Sequence, residues 1–331
     1  MNRRALVGAC LTLVLLVAVG MPATASAAAP ARNTTLAAAA AVRVRATIPV
    51  SSAFAVATNP LTNTIYVTNP PENTVSVISG RTNTVVATIP VGITPSRVAT
   101  NPATNTIYVA NATDNTVSVI SGQTNTVVAT IPVGFVPLGV AANPVTNTIY
   151  VANATDNTVS VISGQTNTVV ATIPVGDFPQ GVAVNPATNT VYVTNSNGGT
   201  VSVISGQTNT VVATIPAANP VGIAVNPATN TIYVNSANQN TVSVISGQTN
   251  TVVATIGVSG FPQLGLAVNP RTNTIYVGNW LSDSVSVISG RTNTVVATVG
   301  VGNLPQGVAV NPRTKTIYVA NSGSNTVSVL R

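Results

Sequence analysis

The chain has no histidine, and its single cysteine, Cys10, and both methionines, Met1 and Met21, fall within the first 27 residues. Charged residues make up 5% of the 331 residues and aromatics 4%. Each scarcity removes a class of chemistry. Without imidazole or thiolate there is no base for Ser-His-Asp or Cys-His nucleophilic catalysis. Zinc, copper and haem iron are held mainly by His, Cys and Met, so past residue 27 the usual ligand sets are missing. No metal and no cofactor are expected, and no disulfide can form there. Five carboxylates remain for acid–base work: Glu72, Asp114, Asp156, Asp177 and Asp283. A glycosidase needs two of them roughly 5 to 10 Å apart, and these are scattered along the chain. The expectation is a protein that is not an enzyme.

What is present begins with a processing signal. Arg3 and Arg4 precede an uncharged, mostly apolar run from Ala5 to Gly20, and Pro22 leads into Ala25-Ser26-Ala27, a small-x-small cleavage site. The run is shorter than the roughly 20 residues a spanning helix needs. It reads as a secretory signal peptide cut after Ala27, which leaves no transmembrane span and predicts a secreted or cell-surface protein. Residues 28–42 are Ala-rich without a periodic apolar face and read as a leader or linker.

Beyond the leader one pattern recurs. Tyr66, Tyr108, Tyr150, Tyr192, Tyr233, Tyr276 and Tyr318 are all seven tyrosines of the chain, 41 to 43 residues apart. Each repeat carries four segments rich in β-branched residues and bounded by turn residues. In the fourth repeat these are Gly181–Val184, Thr190–Val193, Thr200–Ile204 and Thr210–Ile215. The period and the strand count predict an all-β fold, a seven-bladed β-propeller of four-stranded antiparallel blades over residues 43–331. Arg43 to Val50 reads as a fourth strand with no blade before it, and Thr326 to Arg331 as a third strand with no fourth after it. Segment 43–50 should therefore complete the last blade and close the ring.

The quartets Tyr66-Val67-Thr68-Asn69 and Tyr192-Val193-Thr194-Asn195 resemble the YVTN family of β-propeller repeats. Tyr108-Val109-Ala110-Asn111, Tyr150-Val151-Ala152-Asn153 and Tyr318-Val319-Ala320-Asn321 vary one position, while Tyr233-Val234-Asn235-Ser236 and Tyr276-Val277-Gly278-Asn279 depart further. The family includes prokaryotic surface-layer and other secreted proteins, so the resemblance implies an extracellular or cell-surface role. Its relatives include propellers of electron-transfer enzymes and a streptogramin-opening lyase, activities that the missing His and Cys disfavour here.

Turns joining first to second and third to fourth strands hardly change between copies. Variation concentrates in the second-to-third loops and the blade connections, which leave an up-and-down blade on the same face, the usual place for a ligand. The candidate ligand residues are Trp280, Leu281, Asp283 and Asn279 in one loop, Phe54, Phe135, Phe178 and Phe261 in or beside connections, and Asp177 and Arg97. A Trp beside an Asp suits a sugar ring or a protein hot spot. The expected partner is thus a glycan or protein at the cell surface. The opposite face gathers Arg81, Arg271, Arg291, Arg313 and Lys315, with Arg43 and Arg331 close by, a basic sector suited to anionic envelope polymers. A structural surface-layer protein held by that sector is the alternative. Aromatic interleaving of the kind that marks nucleic-acid sites is scarce there, so no nucleic acid is expected.

Overall fold

The computed structural model describes residues 42–331, which form twenty-eight strands in seven four-stranded antiparallel sheets. The expected signal peptide and nearly all of the leader lie outside the described residues. Blade 1 is Val56–Asn59, Thr64–Asn69, Thr74–Ser79 and Thr84–Pro90, and blade 4 is Pro179–Asn185, Thr190–Asn195, Thr200–Ser205 and Thr210–Pro216. In blades 2 to 7 the first strand reaches back to a proline such as Pro179, which opens a strand at a position where its missing N–H costs no ladder bond. Blade 7 is Pro305–Asn311, Thr316–Asn321, Thr326–Leu330 and, from the other end of the chain, Val44–Pro49. Val44 pairs with Leu330, Ile48 with Val327, and Arg43 and Arg331 exchange backbone hydrogen bonds of 3.0 and 3.1 Å, so the ring closes as the sequence predicts. No helix among the described residues is long and apolar enough to cross a membrane.

The sequence dictates these elements residue by residue. Alternating Thr-Val-Ser-Val-Ile-Ser segments supply β-branched side chains to both faces of a pleated strand. Asn closes the turn just before the next strand begins because it tolerates the left-handed conformation that tight turns require. In blade 1 Asn63, Asn73 and Asn83 take φ of 55°, 54° and 57°, and most of the residues with positive φ in the chain are Asn. The fourth strands of blades 1 to 6 each carry a bulge at a Val pair, as between Ala87 and Val85 opposite Val77 and Ile78. These Val side chains face solvent along the outer edge, with Val128 at 58% exposure. The bulge twists an edge that could otherwise pair with another chain.

The core consists of seven clusters between blades rather than one central mass. Tyr66 of blade 1 packs with Val98, Ile107, Val109 and Ile120 of blade 2. The same arrangement repeats around the ring until Tyr318 of blade 7 packs with Val56, Ile65, Val67 and Ile78 of blade 1. Burial raises the pKa of every tyrosine, that of Tyr66 to about 12.

A ladder of buried amides ties the blades together on the face with the constant turns. The Asn that ends each first strand donates through Nδ2 to the Oδ1 of a turn Asn in the next blade: Asn59 to Asn105 (2.8 Å), Asn101 to Asn147 (2.8 Å), Asn143 to Asn189 (2.9 Å), Asn185 to Asn230 (2.8 Å) and Asn226 to Asn273 (2.7 Å). Asn311 closes the circle onto Asn63 at 2.8 Å. Each acceptor Asn is also packed by the Gly of its blade's third-to-fourth turn, where a Cβ on Gly206 would sit 2.4 Å from Asn189 Oδ1. The ladder has one gap. Opposite Asn269 the turn position is Lys315, with the same left-handed φ (54°) but an ammonium that only donates.

That gap supplies an internal control. Asn185→Ala removes a ladder donor and strands the Asn230 acceptor, whereas Asn269→Ala removes the same side chain where there is no ladder bond. Thermal or urea unfolding should show Asn185→Ala the less stable of the two, by about 1–2 kcal/mol.

Candidate functional site

Second-to-third hairpins and blade connections meet on one face. The connections hold an unusual backbone: Thr94, Val136, Phe178, Phe261 and Leu304 each precede the strand-opening proline with φ between 53° and 56°. For β-branched or bulky residues this costs about 1–3 kcal/mol. Each strained N–H is caught by a side-chain oxygen of the neighbouring hairpin: Thr94 by Asn73 (2.9 Å), Val136 by Asn115 (2.9 Å), Phe178 by Asn157 (2.8 Å), Phe261 by Asn240 (2.7 Å) and Leu304 by Asp283 Oδ1 (2.9 Å). Asp283 thus stands where other blades use Asn.

The acidic side chains of this face mostly serve the same connections. Asp114 accepts from the Ile93 N–H at 2.6 Å and Asp156 from the Phe135 N–H at 2.7 Å. Glu72 accepts from the hydroxyls of Ser51 and Ser52, the Ser51 bond being the main cause that lowers its pKa. Asp177 stands exposed in the connection into blade 4. Among the described residues there is no cluster of three or more His, Cys, Asp or Glu.

The expected ligand residues separate into groups. The amide of Asn279 is buried against the Ser284 and Ser286 hydroxyls at 3.0 and 2.9 Å, as its counterparts are in other blades, while Asp283 is exposed with one oxygen on the Leu304 N–H. Trp280 opens a short 3-10 turn and packs on Phe261, ring centroids 6.1 Å apart, while Leu281 is 63% exposed. Phe135 points outward at 62% exposure. Phe54, Arg97 and Phe261 come together around a cavity of about 390 Å³, and neither Phe135, Phe178 nor Asp177 lines it.

This cavity lies at the axis, where the first strands of neighbouring blades run side by side. Six of its wall residues come from a single position, five residues before the strand-ending Asn: Phe54, Ser96, Leu138, Gln180, Val221 and Leu264, with Gln306 lining a smaller cavity that shares Arg97 and Leu264. The sequence carried a signal for it, since this position holds five residue types in seven copies within otherwise repetitive strands. Gln263, the extra residue of blade 6, adds another amide.

The next position is Gly139, Gly181, Gly222, Gly265 and Gly307 in five blades, because a side chain would strike the adjacent strand. A Cβ on Gly139 would lie 2.3 Å from the Gln180 carbonyl oxygen. Blade 2 places Arg97 there. Arg97 lines both axial cavities and keeps some exposure to them, and partial burial lowers its pKa to about 10 with no charged neighbour contributing, so it stays cationic near neutrality. The Ser96 hydroxyl, beside it, lies 3.0–3.1 Å from the carbonyls of Ala110, Pro137 and Leu138 and donates its one hydrogen among them.

On the opposite face Arg81, Arg271, Arg291, Arg313 and Lys315 are exposed in turns of blades 6, 7 and 1, with Arg43 and Arg331 at the ring closure. Arg331 donates through Nε to Thr316 at 2.9 Å. None of the five carboxylates shares those turns.

No known family profile matches the chain, and no curated protein matches its sequence. Among solved structures it is similar to the hydrazine synthase of Kuenenia stuttgartiensis, with a TM-score of 0.77 and 23% identity over 85% of this chain and 96% of that one. That likeness identifies the class as a β-propeller.

Two outcomes follow from the connection geometry. Asp283→Asn should leave the unfolding midpoint unchanged, because Asn performs the same task in four other blades, while Asp283→Ala should destabilise by about 1–2 kcal/mol in denaturant titrations. Glu72 has a folded pKa below its ordinary value. Its stabilising effect is therefore complete above the ordinary carboxylate range and is lost as pH falls through the folded value. The difference in Tm between wild type and Glu72→Gln should shrink from pH 7 to pH 3.

Proposed function

We propose that this protein is a secreted, non-catalytic binding module that takes a terminal group of a cell-surface glycan or protein into the axial cavity. One observation carries the reading. Within the first strands, which are otherwise nearly constant from blade to blade, the position that varies most is the one whose side chains converge on this cavity. At about 390 Å³ it falls at the lower end of the roughly 300–1,000 Å³ typical of small-ligand pockets. It has apolar walls and a few amides, the composition that orients a ligand without reacting with it. Four of the five carboxylates are occupied in holding connections, and no imidazole or thiolate is at hand to move a proton.

The export reading rests on the N-terminal segment, with its Arg pair, apolar run and Ala25-Ser26-Ala27 site, and on the resemblance of the tyrosine quartets to the YVTN repeats of secreted proteins. The fold serves many functions, so the argument stays with the site.

Filling the cavity tests the reading. Leu138→Trp places a large ring at the channel wall, and ligands found on a glycan and peptide array should lose tenfold or more in affinity with this variant. Binding that ignores the substitution would move the ligand away from the axis. Recovery of a chemically altered ligand would make the protein an enzyme.

A further inference from the structure

Arg97 is the feature that the repeat does not explain. Its position belongs to Gly in five blades, and a side chain there must reach into the channel. Arg97 is half-buried in the cavity wall with no acidic partner, and an unpaired guanidinium so placed is suited to receive an anion. Its own face carries five carboxylates, and none is placed to neutralise it: four are bound to connections, and the fifth, Asp177, is out in solvent. Gln306 Oε1, in the smaller cavity that Arg97 shares, is buried and has no hydrogen-bond partner.

We propose that the axial cavity binds a carboxylated sugar unit, of the hexuronic acid class, with its carboxylate on Arg97. This rests on the binding-module reading above and narrows it. One guanidinium matches one carboxylate and can hold it through two parallel N–H···O bonds. The amides of Gln180 and Gln263 both donate and accept, as sugar hydroxyls require. Phe54 and Phe261 offer aromatic surface to the C–H face of a ring, with Trp280 packed behind Phe261. An acidic peptide would need partners for its amide backbone as well, and the Ser96 hydroxyl is already committed to carbonyls.

The probes are D-glucuronic acid, its neutral methyl ester, D-glucose and N-acetylglutamate. Binding is read by saturation-transfer NMR and by the fluorescence of Trp280, the only Trp in the chain, which packs against a cavity residue. Arg97→Gly installs the residue that other blades carry, so folding should survive, and circular dichroism melts check this. Arg97→Lys keeps the charge without the planar fork.

Wild type should bind glucuronic acid at least about tenfold more tightly than its ester or glucose, the scale of a charge-assisted hydrogen bond. Arg97→Gly should erase that preference and Arg97→Lys retain part of it. Equal binding of acid and ester, or an unchanged preference in folded Arg97→Gly, would overturn the inference. So would N-acetylglutamate binding as tightly as glucuronic acid, which points to an acidic side chain rather than a sugar. If Leu138→Trp abolishes sugar binding while Arg97→Gly leaves it unchanged, the carboxylate assignment falls and the axial binding reading stands.

Discussion

The amide that each first strand hands to the next blade is the contact on which the rest of this propeller depends. An Asn side chain can donate to the neighbouring blade and accept locally at once, and these do both: Asn185 donates to Asn230 while its own Oδ1 takes the Ala187 N–H. Buried polar groups are stabilising only when satisfied, so each such residue fixes the turn of its own blade and the angle to the next together. The acceptor Asn must hold a left-handed backbone and sit against a Gly that cannot carry a side chain. Those demands explain why the Asn-Pro, Thr-Asn and Ser-Gly turns recur with little change. One face of the molecule is thereby committed to assembly.

The opposite face is assembled under weaker demands. There a strained residue before proline is held by an oxygen from the adjacent hairpin, and either Asn or Asp can supply it, as Asn240 and Asp283 do. Only the oxygen is required, so the rest of each connection is free to become Phe, Ile, Leu or Thr. Variation is therefore permitted on this face by the mechanism that holds it together, and function would be selected from that freedom.

This division also explains what could be read from the sequence. The period of the tyrosines, the β-branched runs and the complementary outer segments 43–50 and 326–331 were enough for blade number, strand order and closure, because each is a local pattern with one geometric solution. The axial cavity was less legible. Phe54, Arg97 and Phe261 stand out as unusual residues, but Leu138, Gln180 and Val221 are ordinary ones that matter only because a propeller brings one strand position from every blade to a common axis. Trp280 and Asp283 drew attention by chemical type, and the fold gives them local work: an aromatic packed on Phe261 and a carboxylate restraining Leu304. Rarity in composition marked positions of interest without distinguishing a clasp from a ligand group.

Arg97 shows how that distinction can be made. A side chain explained by the repeat has counterparts doing the same task in other blades, as Asp283 has in Asn240 and Asp156 has in Asp114. Arg97 has none, since the equivalent positions are Gly in five blades and Ala55 in blade 1. Nor is it paired, because four acids of its face hold connections and the fifth, Asp177, stands in solvent. A cation that neither assembles the ring nor is neutralised by it has no structural task that a Gly would not meet. The task left for the charge is to meet an anion, the role proposed for it in the axial cavity.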